Sequence, residues 1–126
     1  MDKLIFATNN PGKLEEISKF GAQHNIEVIG LTDAGISGLN PKETGATFKE
    51  NADIKLRATL ERVSEISVWV AADDSGIMID ALNGEPGVRS RRWNGTNMTD
   101  QEIVDYTLER LRGVPYEQRG AKFKSV

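Results

Sequence analysis

Two adjacent carboxylates, Asp73 and Asp74, followed by Ser75 and Gly76, stand directly after the apolar run Ile66 to Ala72. Neighbouring acids repel each other and call for a compensating charge. Mg²⁺ suits that role because it prefers carboxylate and phosphate oxygens and is commonly shared with a substrate's phosphates. One carboxylate could hold the metal while another positions and deprotonates a water for attack on phosphorus. The plainer reading of an Asp-Ser-Gly string is an Asx turn with its acids in water. The apolar segment before it tips the balance toward chemistry, since open α/β sheets gather ligands at the carboxyl ends of their strands.

A second constellation is Thr8-Asn9-Asn10-Pro11-Gly12-Lys13. It falls where a strand hands over to a helix, a place where helical amides and the positive end of the dipole favour phosphate. Lys13 adds a full charge, Thr8 and the asparagines add neutral donors, and Gly12 allows close approach. The glycine spacing and Lys-Ser/Thr pair of a Walker A loop are missing. An ordinary capped helix start reads equally well from these six residues. A third group, Glu43-Thr44-Gly45 with Glu50, Asn51 and Lys55, offers a loop carboxylate for a metal and, on one helical face, Asn51 and Lys55. Alone it is weak, because amphipathic helices place lysines in water by default. Arg89, Arg91 and Arg92 with Trp93 suit phosphates and a base, although Trp93 reads slightly better as a core anchor.

These groups need elements to hold them. Lys3 to Thr8 reads as a buried strand, and Pro11 to about His24 as a helix with Leu14, Ile17 and Phe20 at helical spacing. Ile26 to Leu31 forms a second strand, and the polar stretch Thr32 to Gly45 an irregular loop. Thr47 to Glu50 is a capping box opening a helix to about Val63, and Ile66 to Ala72 reads as a central strand. Ile77 to Leu82 is extended, and Val88 to Thr96 irregular. Thr99 to Glu102 is a second capping box, with Ile103, Val104, Leu108 and Leu111 as one apolar stripe. Ala121 to Val126 begins a strand.

The frame is one small α/β domain over the 126 residues, 38% of them hydrophobic. Without cysteine, disulfides, zinc-thiolate sites and thiol nucleophiles are excluded. His24, the single histidine, is assigned no role. A net charge of −3 argues against a nucleic-acid binder. The absence of a signal-like or membrane-spanning run predicts a cytoplasmic protein with no membrane partner.

In this order, four stretches closely resemble the inosine triphosphate pyrophosphatase family. They are Ala7 to Lys13 with Glu16, Glu43 to Phe48 with Glu50-Asn51-Ala52, Ala72 to Gly76 with Asp80-Ala81-Leu82, and Gly84 to Val88 with Ser90 and Trp93. The resemblance implies a mixed-sheet α/β fold with flanking helices, and a homodimer. It implies Mg²⁺-dependent cleavage of ITP, dITP or XTP between the α and β phosphorus atoms, giving monophosphate and pyrophosphate. Carried over, Thr8, Asn9, Asn10, Pro11, Gly12 and Lys13 line the triphosphate, Lys55 takes a family lysine position, and Ser75 contacts substrate. Asp74 is the proton acceptor and a metal ligand, with Glu43 and Asp73 as further metal ligands. Family members usually continue past the point where this chain stops. The implied fold therefore lacks its C-terminal part, including the Phe-Gly-Tyr-Asp and Ser-His-Arg stretches that grip the base. The alternative is a shortened relative that binds nucleotide weakly without turnover.

Overall fold

The computed structural model describes residues 1–126, which fall into two compact units, Met1–Asp73 and Asp74–Val126. The first contains strand β1 (Asp2–Phe6), helix α1 (Pro11–Gln23), strand β2 (Ile26–Ile29), helix α2 (Phe48–Leu60) and strand β3 (Trp69–Ala71). The three strands form a parallel sheet in the order β2-β1-β3, with Leu4 opposite Val28 on one side and Trp69 on the other. Parallel neighbours need long crossovers, and α1 and α2 supply them. α1 lies so close to the β2 segment that a Cβ at Gly21 would fall 2.6 Å from Val28 Cγ2, and one at Gly30 2.6 Å from Leu14 Cδ2. Ile5, Ala7, Leu31 and Ile36 form the core beneath, joined by Val63, Val68 and Val70.

Local chemistry sets the helix starts. Pro11 occupies the first turn of α1 behind the cap Asn10, and Thr47 Oγ1 accepts from the Glu50 N–H at 3.1 Å to open α2. The Glu50 carboxylate bonds back one residue earlier than a capping box requires, to the Ala46 N–H at 2.6 Å. Two expectations need correction. Phe20 belongs to no buried stripe; it is 59% exposed and lies against the His24 ring. The predicted central strand Ile66 to Ala72 shrinks to Trp69–Ala71 and pairs only with β1, so β1 is the central strand. Ile66 is 99% exposed and Trp69 70%. A continuous apolar run signals capacity for burial, but not how many neighbours a strand has.

The second unit pairs β4 (Ser75–Ile79) with β5 (Ala121–Ser125) in antiparallel register, Ile77 opposite Phe123. Parallel and antiparallel pairing thus both occur, as the resemblance implied, in separate sheets. The extended segment predicted to Leu82 ends at Ile79, where 3₁₀ turn 80–82 closes on the left-handed Asn83. The stretch read as irregular winds into a 3₁₀ turn at Gly87–Arg92. Helix α3 (Asp100–Arg110) begins at Thr99, whose hydroxyl accepts from the Glu102 N–H at 3.2 Å. Its stripe is only half used. Ile103 and Leu111 join the core of Ile79, Leu82, Trp93 and Met98, while Val104 and Leu108 remain half exposed and Tyr106 packs inward instead. No helix in the chain is long and apolar enough to cross a membrane.

Candidate active site

In the first unit, chain direction creates the site. β1 continues into α1 toward β2, while β3 lies on the other side of β1, so crossovers leave the neighbouring carboxyl ends of β1 and β3 in opposite senses. That is a topological switch point, where open parallel sheets leave a crevice for ligands. The Ala7 N–H donates to the Ala71 carbonyl at 2.8 Å and holds the two strand ends together. Beyond that bond the chain runs into Thr8 to Lys13 on one side and Ala72-Asp73 on the other.

Lys13 and Asp73 meet there: Nζ donates to Oδ2 at 2.8 Å, with the carboxylate side chain 18% exposed. The other carboxylate oxygen, Asp73 Oδ1, is buried and accepts no hydrogen bond. An orphaned buried carboxylate oxygen is costly unless something donates or coordinates to it, and a hard cation is a fitting occupant. A second pair lies between the loop and α2, where Lys55 Nζ is 3.1 Å from Glu43 Oε1. Two lysines and two carboxylates predicted from sequence are thus brought together as two ion pairs. No group of three or more acidic or histidine side chains is assembled as an ion-binding cluster.

The α1 start differs from the arrangement anticipated for phosphate. Asn10 Oδ1 accepts from the Gly12 and Lys13 N–H groups at 2.9 and 3.2 Å, and the Leu14 N–H donates to the Asn10 carbonyl. Pro11 has no N–H, so no first-turn amide is left over, and Asn10 acts as a helix cap. The signal was legible, since Asn immediately before Pro at a helix start is a capping pattern. Thr8 Oγ1 accepts from the Asn10 N–H at 3.1 Å, and Asn9 Nδ2 donates to the Leu39 carbonyl at 3.0 Å. Asn9 therefore ties the loop that carries Glu43 to the phosphate-loop candidate. The residues undervalued from sequence are Gly45 and Asn51: Asn51 is 1% exposed, and its Oδ1 accepts from the Gly45 N–H at 2.7 Å.

In the second unit, Asp74 directly precedes β4, which begins at Ser75. The Asp74 N–H donates to the Val126 carbonyl at 2.8 Å and its carbonyl accepts from the Val126 N–H at 2.9 Å, so Val126, directly after β5, fixes this backbone. Trp93 is a core residue, 8% exposed, edge-on to Tyr106. Arg110 lies 5.2 Å from the Trp93 ring centroid and 5.9 Å from that of Tyr106, and donates to Glu85 at 2.8 Å. That hydrogen bond lowers the Glu85 carboxyl pKa from its ordinary value, against the opposing effect of desolvation. Trp93 Nε1 is buried without an acceptor at hydrogen-bond geometry; its pull on Glu85 is among the smaller causes of the shift. Arg91 pairs with Asp100.

Fold and site together define an α/β protein with a lysine–carboxylate pair at a parallel-sheet switch point, where open sheets leave a crevice for ligands. The chain belongs to the Ham1 family, whose sequence profile matches residues 4–126. It is 40% identical over 126 residues to the dITP/XTP pyrophosphatase of Yersinia pseudotuberculosis serotype I (strain IP32953), covering 100% of this chain and 61% of that protein. To the dITP/XTP pyrophosphatase of Thermoanaerobacter sp. (strain X514) it is 45% identical over 124 residues, covering 98% and 61%. Among solved structures, a HAM1 protein from Coxiella burnetii superposes with a TM-score of 0.79 at 36% identity, covering 100% of this chain and 61% of that one. The Staphylococcus aureus Ham1 protein gives 0.77 at 34%, covering 98% and 60%. The chain thus spans about three fifths of the length of the curated relatives it matches, 61% for the two named.

Proposed function

We propose that this chain hydrolyses non-standard purine nucleoside triphosphates, ITP, dITP and XTP, to the monophosphate and pyrophosphate with Mg²⁺ bound. The observation that carries the reading is the double lysine–carboxylate pairing, Lys13 with Asp73 and Lys55 with Glu43, in a protein whose relatives are named dITP/XTP pyrophosphatases. Each pair is a ligand site satisfied internally. A triphosphate draws the lysines, and the released carboxylates suit a cation. The unpaired Asp73 Oδ1 supports that fit. Glu43, Asp73 and Asp74 would hold Mg²⁺, which when bound supplies charge neutralisation at the phosphate oxygens.

Thr8, Asn9, Asn10, Pro11, Gly12 and Lys13 line the triphosphate, Lys55 adds the second cation, and Ser75 contacts substrate. For the first-turn amides to contribute, the Asn10 side chain must give up Gly12 and Lys13, so the loop responds to phosphate rather than standing open for it. Asp74 accepts a proton from the attacking water. The water oxygen bonds to phosphorus, the bridge between the α and β phosphorus atoms breaks, and pyrophosphate leaves. The same reading takes the protein as a homodimer, supported by the exposure of Phe123 at 72% and Trp69 at 70%; light scattering measures it. Asp74→Asn keeps the side-chain shape but removes the base, so turnover should fall by about 10²- to 10⁴-fold. Melting temperature should be kept. Pyrophosphate release at the wild-type rate in that variant would overturn the assignment.

A further inference from the structure

We infer that Asn51 is a positioning residue: its buried side-chain amide, through Gly45, fixes the loop that presents Glu43. Helix α2 reaches back to this loop at neighbouring turns. Lys55 meets the Glu43 carboxylate at 3.1 Å, and one turn earlier Asn51 Oδ1 receives the Gly45 N–H at 2.7 Å. The Glu50 carboxylate takes the next amide, Ala46, at 2.6 Å. The loop from Ser37 to Ala46 has no regular structure of its own, and these contacts, with Asn9 on Leu39, tie it down on both sides of Glu43.

The contacts differ in what happens when ligand arrives. In the proposed reaction, on which this inference rests, Lys55 turns to phosphate and Glu43 to the metal, so their ion pair cannot be the anchor of the working state. Glu50 is an exposed surface acid. Asn51 is uncharged and 1% exposed, and it grips main chain, so ligand charge leaves its bond in place. Gly45 is shaped for that grip. A Cβ there would stand 2.6 Å from Asn51 Oδ1, 2.6 Å from Glu50 Cβ and 3.0 Å from the Asn51 nitrogen, so the close approach admits no side chain. Groups that orient metal ligands from behind alter metal affinity without touching the ion.

The test compares the full chain with Asn51→Ala, Asn51→Asp and Ala52→Gly, the last weakening the same helix one residue away. Hydrogen exchange of the Gly45 amide is followed by NMR without metal, and Mn²⁺ affinity by water-proton relaxation. Asn51→Ala should lose Gly45 protection and about 10- to 100-fold in Mn²⁺ affinity. Asn51→Asp keeps the acceptor oxygen and should restore protection. Ala52→Gly should lower the melting temperature while both readouts stay at wild type. If Asn51→Ala does not fold, Gly45→Ala carries the same prediction from the other side of the bond. Asn51→Ala matching Ala52→Gly in both readouts overturns the proposal, since the side chain is then merely structural. A wild-type chain that binds no Mn²⁺ defeats the functional reading instead, and Gly45 protection alone then decides whether Asn51 fixes the loop.

Discussion

At the carboxyl ends of β1 and β3, Lys13 faces Asp73 with a buried carboxylate oxygen left over, whereas in the second unit Arg110 donates to Glu85 while lying over Trp93 and Tyr106. Both are cation–carboxylate pairs of 2.8 Å. Their surroundings give them different uses. Arg110 is held by two rings as well as by the acid, so the pair has reason to stay together and acts on packing. Lys13 has a flexible stem and a compact charge at the carboxyl ends of β1 and β3, and its partner keeps an unsatisfied oxygen. On the proposed reading that pair is exchanged for ligands rather than kept. Charge alone does not distinguish a structural ion pair from a functional one; what each partner touches besides the other does.

Breaking the structural side should give the largest stability effect. Trp93→Ala removes the centre of the second core and should cost about 3–5 kcal/mol in chemical denaturation. A loss of less than half that would show Trp93 to be dispensable to packing and reopen its assignment to a base. On the functional side, Lys13→Met should move two affinities in opposite directions. Without Lys13, Asp73 has no resident cation, so Mg²⁺ alone should bind about tenfold more tightly, a change of 1.4 kcal/mol. Triphosphate should bind more weakly, which calorimetry on each ligand separately would show. Parallel loss of both would mean the lysine only supports the fold.

The smallest expected effect is pH-dependent. Glu85 has a folded-state pKa below its unfolded value, so its contribution is present above the usual carboxylate range and is lost as pH falls through the folded value. The melting temperatures of wild type and Glu85→Gln should therefore differ slightly at neutral pH and converge below that range. Divergence on acidification would reverse the sign assigned here.

Most elements were legible because local chemistry marks them: Pro11, Thr47 and Thr99 open the three helices they were expected to open. Trp93 as a core anchor was also legible. The role of β3 was not, because the number of neighbours depends on other strands; nor was the outward turn of Val104 and Leu108, which periodicity places with Leu111. At the site, residue types revealed the lysines and acids but not their mutual pairing, which arises where β1 and β3 end side by side and where the loop folds back on α2. Asn10 and Asn51 show the same limit. Asn10 reads as a neutral donor for phosphate and Asn51 as a companion of Lys55 on one helical face, yet the side-chain oxygen of each accepts from backbone N–H, two for Asn10 and that of Gly45 for Asn51.

Whether the chain is a pyrophosphatase is decided by pyrophosphate release from ITP, XTP and the standard triphosphates by these 126 residues, with Mg²⁺ and with chelator. Release that needs Mg²⁺ and favours ITP or XTP is expected. Binding of these nucleotides with no pyrophosphate released under either condition would contradict it and leave a nucleotide-holding relative without turnover.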